Sequence, residues 1–291
     1  MKYQNIVKAK FIERENRFVA TALVNVDSAG NFCGVPVKVH VKNTGRCKEL
    51  LIPGVTVYLE DFEGRMGNRK MRYSLIAVEK QIETADEQGN AKTETLLINM
   101  DSQAPNKVVQ EALLSGKLRL AGLEQGLAGQ RPAGQRPVTG SAEEAIREPV
   151  VKPEYTYGNS RFDFYVELPA GDFKTNAAHT KAFIEVKGVT LENNGFARFP
   201  DAPTERGLKH IEELIKAVDD GYDAYIIFVI QMKKIHTFGP NYETHPAFGK
   251  VLQKAAKKGV QILAYDCEVG TDSLTLDTQV PIDLSRPSSV Y

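Results

Sequence analysis

The sequence contains no apolar run long enough to cross a membrane. Its longest, Ala224 to Ile230, has the length of a buried strand, whereas a helix spanning a bilayer needs about 20 apolar residues. The first residues, Met1-Lys2-Tyr3-Gln4-Asn5, lack the apolar segment of a secretory signal, so a cytoplasmic protein is expected. Cysteine is scarce. Cys33, Cys47 and Cys267 are odd in number and form no Cys-x-x-Cys pair, which fits reduced thiols and argues against a zinc site. Net charge is absent as well, with 37 basic and 37 acidic side chains. A dedicated nucleic-acid binder usually carries a basic excess, so overall charge argues mildly against that class.

The charge that is present is unevenly placed. Residues 1–82 hold 14 lysines and arginines against 8 aspartates and glutamates, and the rest of the chain holds the compensating acidic excess. A basic module beside an acidic one fits a phosphate-tracking part joined to a metal-binding part; it also fits two domains that attract each other. A length of 291 residues with 42% hydrophobic side chains points to two domains with sizeable cores.

Short β-type runs fill the first part: Ile6–Ile12, Arg17–Val26, Val35–Val41, Val55–Glu60 and Arg72–Lys80. They predict a five-stranded, oligonucleotide-binding (OB) type β-barrel over residues 1–84. Between the third and fourth runs, Asn43–Gly54 reads as a capped turn and a short helical piece. Residues 85–120 supply a connecting strand near Thr95–Met100 and a helix, Ala104–Ser115. Residues 121–148 repeat Ala-Gly-Gln-Arg-Pro in tandem and read as a flexible insertion. From 149 to 291, strands (Tyr155–Leu168, Lys181–Val189, Ala224–Gln231, Val260–Tyr265) alternate with helices (Pro203–Asp219 capped by Thr204, Pro246–Lys258). The fold class is therefore α+β in two domains, the second a mixed-sheet α/β domain.

The chemistry gathers between Ser160 and Lys187. Asp163 lies between Phe162 and Phe164, and Glu185 between Ile184 and Val186. Alternation along a strand puts Glu185 and Lys187 on one face, and pairing with the Asp163 strand would bring two carboxylates and one ammonium together. That set suits metal-assisted phosphodiester cleavage. Asp163, Glu185 and the Val186 carbonyl are then candidate ligands of Mg2+ or Mn2+, with Lys187 beside the nucleophile or the phosphate. The bland alternative is the solvated face of an edge strand, which is what a lone Glu-x-Lys usually is. The Asp163 strand upstream, and Gly188 where another group can approach closely, favour the sharper reading. Glu154 and Gln231 are candidate additional site residues; plain surface and an ordinary strand end are their alternatives. Candidate nucleic-acid contacts are Arg17, His40, Asn43, Thr44, Arg46, Arg161, Arg206, Lys209 and His210. The competing readings are a tight turn for Asn43–Arg46, a carboxylate pair for Arg161 and a solvated helix face for Arg206, Lys209 and His210. Phe11, Phe18 and Phe32 are either base-stacking residues or core.

Four stretches carry a resemblance: His40-Val-Lys-Asn-Thr-Gly-Arg46, Tyr157-Gly-Asn-Ser-Arg-Phe-Asp-Phe164, Glu185-Val-Lys-Gly-Val-Thr-Leu191 and Phe199-Pro-Asp-Ala-Pro-Thr-Glu-Arg-Gly-Leu-Lys-His210. Through them the chain resembles the sugar fermentation stimulation protein A family along nearly its whole length outside 121–148. The resemblance implies an N-terminal OB barrel and a C-terminal domain like the PD-(D/E)xK nucleases. Asp163, Glu185 and Lys187 fall on that class's acidic and Glu-x-Lys positions, with Phe162 as a tolerated variation before the aspartate. It also implies DNA as partner, with RNA as an alternative, and a link to sugar-utilisation genes of the maltose type. Two functions follow: a divalent-metal-dependent nuclease, or a non-catalytic DNA-binding regulator. No helix-turn-helix reader is evident, which weakens the second.

Overall fold

Six strands build the first sheet, in the order β3-β2-β1-β4-β5-β6. They are β1 (Ile6–Arg14), β2 (Val19–Leu23), β3 (Pro36–Val41), β4 (Thr56–Asp61), β5 (Tyr73–Ala85) and β6 (Ala91–Asn99). Alternation sets their faces: Ala9 and Phe11 of β1 and Val39 and Val41 of β3 are buried, while Lys8 is exposed. A parallel contact between β3 and β5, from Val39↔Tyr73 to Val41↔Leu75, curls the sheet back on itself. Five strands were expected over residues 1–84. The sixth arises because β5 runs on to Ala85 and stays paired with β6, which starts at Ala91. The helical piece expected within Asn43–Gly54 is a turn instead, in which the Cys47 carbonyl accepts from the amides of Leu50 and Leu51.

The computed structural model describes residues 1–24, 34–43, 45–85, 89–118, 120, 150–167 and 181–286. Thr44, Phe32 and the 121–148 insertion lie outside the described residues.

Helix α1 (Ala104–Leu114) leads into a second six-stranded sheet, ordered β15-β14-β12-β9-β8-β7. Its strands are β7 (Val150–Tyr157), β8 (Ser160–Glu167), β9 (Lys181–Val189), β12 (Asp223–Ile230), β14 (Gln261–Val269) and β15 (Leu274–Gln279). β12 runs parallel to β9 and β14, and the other pairs are antiparallel. The predicted strand Tyr155–Leu168 is in fact a hairpin. Gly158 takes φ +56° at its turn, and β-type residues on both arms conceal the break. A small sheet of β10 (Leu191–Asn193), β11 (Phe196–Phe199) and β13 (Thr237–Pro240) follows β9. Helices α2 (Glu205–Asp219) and α3 (Pro246–Lys257) cover one face of the large sheet, and α1 covers the other. β12 is therefore buried on both faces, which is why Ala224–Ile230 is continuously apolar. Thr204 caps α2, its Oγ1 accepting from the Gly207 amide at 3.0 Å, an interaction worth about 1 kcal/mol. Among the described residues no helix is long and apolar enough to cross a membrane.

Lys233, just past β12, gathers Asp266 and Glu268 of β14 at 3.1 Å each, and Asp277 of β15. The Lys233 ammonium holds Asp277 down to about 2. A depressed carboxylate adds stability above its unfolded value, about 3.9, and loses it as pH falls through the folded one. Asp277→Asn is therefore expected to cost at most about 1 kcal/mol near neutral pH, because the pair is partly exposed. In urea unfolding this cost should vanish as pH falls toward 2. A cost that persists there would mean the carboxylate's charge is not its source.

Candidate functional site

The β8–β9 ladder runs from Glu167↔Lys181 to Phe164↔Ile184 and stops there. Continued by one step, its register sets Asp163 opposite Glu185. Instead of a further main-chain bond, the Val186 amide donates to Asp163 Oδ2 at 2.8 Å. The carboxylate thus sits in the mouth where the two strands part. Asn106 of α1 donates to Asp163 Oδ1 at 2.7 Å.

Glu185 is only 2% exposed. Its Oε1 takes His210 Nδ1 of α2 at 2.6 Å and the Lys187 ammonium, whereas its Oε2 is buried without a hydrogen-bond partner among the described residues. Lys187, two residues on, keeps 17% of its side chain exposed and lies between that carboxylate and solvent. Burial and then the Glu185 charge push Asp163 above the usual carboxylate range, against the pull of Val186, Asn106 and Lys187. Burial alone would also raise Glu185, but His210 and Lys187 outweigh it and hold this carboxyl low. The two acids are thus driven apart, Glu185 settled as an anion and Asp163 resisting its charge.

Gly188 meets the close approach expected of it. A Cβ there would lie 2.6 Å from Gln231 Oε1 and 2.8 Å from Pro105 Cγ in the first turn of α1. Gln231 itself is buried, and its Nε2 donates to Asn99 Oδ1 at 2.9 Å and to the Asp101 carbonyl at 3.1 Å. Its amide donor therefore ties β6 and the segment before α1 to the large sheet. Glu154 lies across from Asp163 on β7 but turns outward, with 68% of its side chain exposed and Arg161 at 3.5 Å. Arg161 thus pairs with Glu154 rather than with Asp163.

Arg206, Lys209 and His210 were candidate nucleic-acid contacts on α2, with a solvated face as the alternative. Arg206 and Lys209 are exposed, the latter donating to the Asn159 carbonyl at 3.0 Å. His210 is buried beneath them with Glu185, because it shares a stripe with Gly207, Leu214 and Ala217. That spacing was readable in the sequence. Asn106 had no such signal, since nothing in the pattern of α1 links it to a strand 57 residues later.

In the first domain the described residues of the Asn43–Arg46 loop, Asn43, Gly45 and Arg46, are tied by hydrogen bonds. Asn43 Oδ1 accepts from the Gly45 amide at 2.8 Å, and the Arg46 amide donates to Asp201 of the second domain at 2.9 Å. Arg14 donates to the carbonyls of Asn43, Gly45 and Arg46. The Gly45 and Arg46 amides are thus occupied, and the second of them links the two domains. The Arg17 and Arg46 side chains remain exposed, as does Phe18 at 51%, while Phe11 is core. His40 is half-buried, and burial followed by the charges of Arg69 and Lys42 push its imidazole down. Among the described residues no three His, Cys, Asp or Glu side chains converge as metal ligands. A cation at the strand mouth would rest on two carboxylates and main-chain oxygen.

The two sheets and the site between β8 and β9 define a two-domain α+β protein with an OB-type first domain. A family model described as the SfsA N-terminal OB domain matches residues 12–86, and one described as the sugar fermentation stimulation protein RE domain matches residues 103–273. The sugar fermentation stimulation protein homologs of Clostridium beijerinckii and Desulfitobacterium hafniense are each 46% identical to it, covering 98% of this chain and 100% and 99% of their own. The chain belongs to the sugar fermentation stimulation protein family. A solved SfsA from Pyrococcus furiosus, in complex with Ca2+, shares the fold with a TM-score of 0.69 at 24% identity, covering 97% of this chain and 98% of that one.

Proposed function

We propose that the protein is a divalent-metal-dependent nuclease of the PD-(D/E)xK kind, acting on DNA, with Asp163 and Glu185 as acidic ligands and Lys187 beside the phosphate. The observation that carries this reading is the buried, unpartnered Oε2 of Glu185 next to a second carboxylate that resists its own charge. A buried carboxylate oxygen without a donor is costly, and a hard cation is what such an oxygen suits. Two carboxylates supply only a small share of the six to eight oxygens, waters included, that Ca2+ takes. They fit Mg2+ or Mn2+, which keep several waters and take substrate phosphate as a further ligand. The Ca2+ in the Pyrococcus furiosus relative supports a hard divalent cation in this fold.

Asp163, Glu185 and the Val186 carbonyl would hold the cation. When bound, it supplies Lewis-acid polarisation of a phosphoryl oxygen and a nucleophile formed at neutral pH. The remaining work belongs to the chain. Asn106 and the Val186 amide fix the Asp163 carboxylate, and partly exposed Lys187 can turn from Glu185 to charge developing on the phosphate. Exposed Arg17, Arg46, Arg206 and Lys209 would track the sugar-phosphate backbone, with Phe18 stacking on a base.

The test is calorimetric titration of the full chain with Mn2+ and Mg2+, with cleavage of single-stranded and duplex DNA in the same buffers. Uptake of a cation and cation-dependent cleavage are expected. DNA affinity should fall roughly 40-fold between about 50 and 200 mM salt if about three phosphates are neutralised. If no cation binds with or without DNA, the nuclease reading fails. Salt-sensitive DNA binding alone would then favour a non-catalytic regulator.

A further inference from the structure

We infer that His210, itself held by Arg206, is a positioning residue that turns Glu185 so that one of its oxygens stays available to a cation. This inference rests on the metal-site reading and assigns a role to residues outside the acidic pair and its lysine.

Two hydrogen bonds and one ring contact fix the arrangement. Glu185 Oε1 lies 2.6 Å from His210 Nδ1, and Arg206 Nε donates to His210 Nε2 at 3.3 Å. A carboxylate anion only accepts and a guanidinium only donates, so both neighbours demand the same tautomer, with the ring proton on Nδ1. The ring has little freedom to leave this position. It is 6% exposed and stands edge-on to Phe162, with centroids 6.4 Å apart and planes at 81°. Arg206 and His210 are one helical turn apart on α2, whose first turn Thr204 caps. The chain Arg206–His210–Glu185 therefore runs from solvent to the buried carboxylate with each hydrogen bond directed inward.

Lys187 also binds Oε1 but cannot do the same work. Its ammonium ends a flexible four-carbon stem and is partly exposed. If it moves to a phosphate, His210 still anchors Oε1. Oε2, the atom without a partner, then keeps its place. Hydrogen bonds that orient ligating groups are worth about 10–100-fold in metal affinity.

The experiment is Mn2+ calorimetry on the full chain for wild type, His210→Ala, His210→Asn and Arg206→Ala, with thermal unfolding of each apo-protein. An asparagine amide can place an N–H where Nδ1–H stands, but it loses the ring packing as alanine does. Mn2+ affinity is expected to fall about 10–100-fold in His210→Ala and to recover most of that in His210→Asn, although both variants melt lower than wild type. Arg206→Ala, at an exposed position, should weaken Mn2+ binding severalfold with little change in melting. His210→Ala binding Mn2+ as wild type does would overturn the inference, as would His210→Asn binding no better than His210→Ala. If His210→Ala does not fold, the Asn variant and Arg206→Ala decide: both at wild-type affinity supports the anchor only for the former and rejects the role of Arg206. A wild type that takes up no Mn2+ overturns the metal-site reading itself, which separates that failure from the failure of this inference.

Discussion

Lys187→Ala should unfold more easily than wild type by about 2–3 kcal/mol and lose cleavage by about 10²–10³-fold. The stability effect follows from what the substitution leaves behind. Glu185 is almost fully buried and held low by His210 and Lys187 against the effect of burial. Removing one partner of a buried pair leaves a charge partly uncompensated, at a cost of about 3–5 kcal/mol when nothing else remains. His210 does remain, which sets the figure below that range. The cause can be isolated in a double-mutant cycle. In a Glu185→Gln background there is no buried anion to strand, so Lys187→Ala should cost less than about 1 kcal/mol. Urea unfolding of the four proteins measures the coupling. Equal costs in both backgrounds would place the lysine's contribution in packing of its stem and not in its charge.

How much of this site the sequence reveals depends on the range of the interactions involved. Strand alternation is local, so the shared face of Glu185 and Lys187 can be read directly, and Asp163 on a neighbouring apolar strand completes the set. The hairpin inside Tyr155–Leu168 is also local but hidden, because the turn rests on one glycine between two β-rich arms. His210 was legible from its stripe, yet a polar residue beside Arg206 and Lys209 reads as surface unless the helix face is counted. Asn106 and Asp101 are different. Their partners, Asp163 and Gln231, lie far along the chain, and only tertiary packing of α1 on the large sheet brings them together. The same holds for the Asn43–Arg46 loop, whose link to Asp201 spans 155 residues. There an acid from the other domain takes the Arg46 amide, a contact that no local pattern announces.

The final expectation is that two nearly isosteric substitutions, Asp163→Asn and Glu185→Gln, remove the same chemistry but shift apo-protein stability in opposite directions. Either should lower metal-dependent cleavage by about 10³-fold or more, since the Lewis-acid contribution is worth several kcal/mol. Their effects on folding diverge because their surroundings do. Asp163 is pushed up by burial and by Glu185, so at neutral pH its charge opposes folding and the opposition fades as pH falls through its folded value. A neutral amide removes that opposition. With Val186 N–H still donating to the amide oxygen, and Asn106 flipped to accept from its nitrogen, no hydrogen bond need be lost. A gain of about 1 kcal/mol is expected, the usual size when a functional site is relieved. Glu185 is held low, so its charge favours folding at neutral pH, and the benefit is lost as pH falls. Glu185→Gln gives up charged hydrogen bonds to His210 and Lys187, at about 1–3 kcal/mol. A cation does for the wild type what the amide does at Asp163. At about 100 times its Kd it should add about 2.7 kcal/mol, and in neither variant should Mn2+ raise the melting temperature. Shifts of the same sign in both apo-variants would mean that the surroundings do not favour the Glu185 charge while opposing that of Asp163. The case for a shared cation would then lose its electrostatic basis.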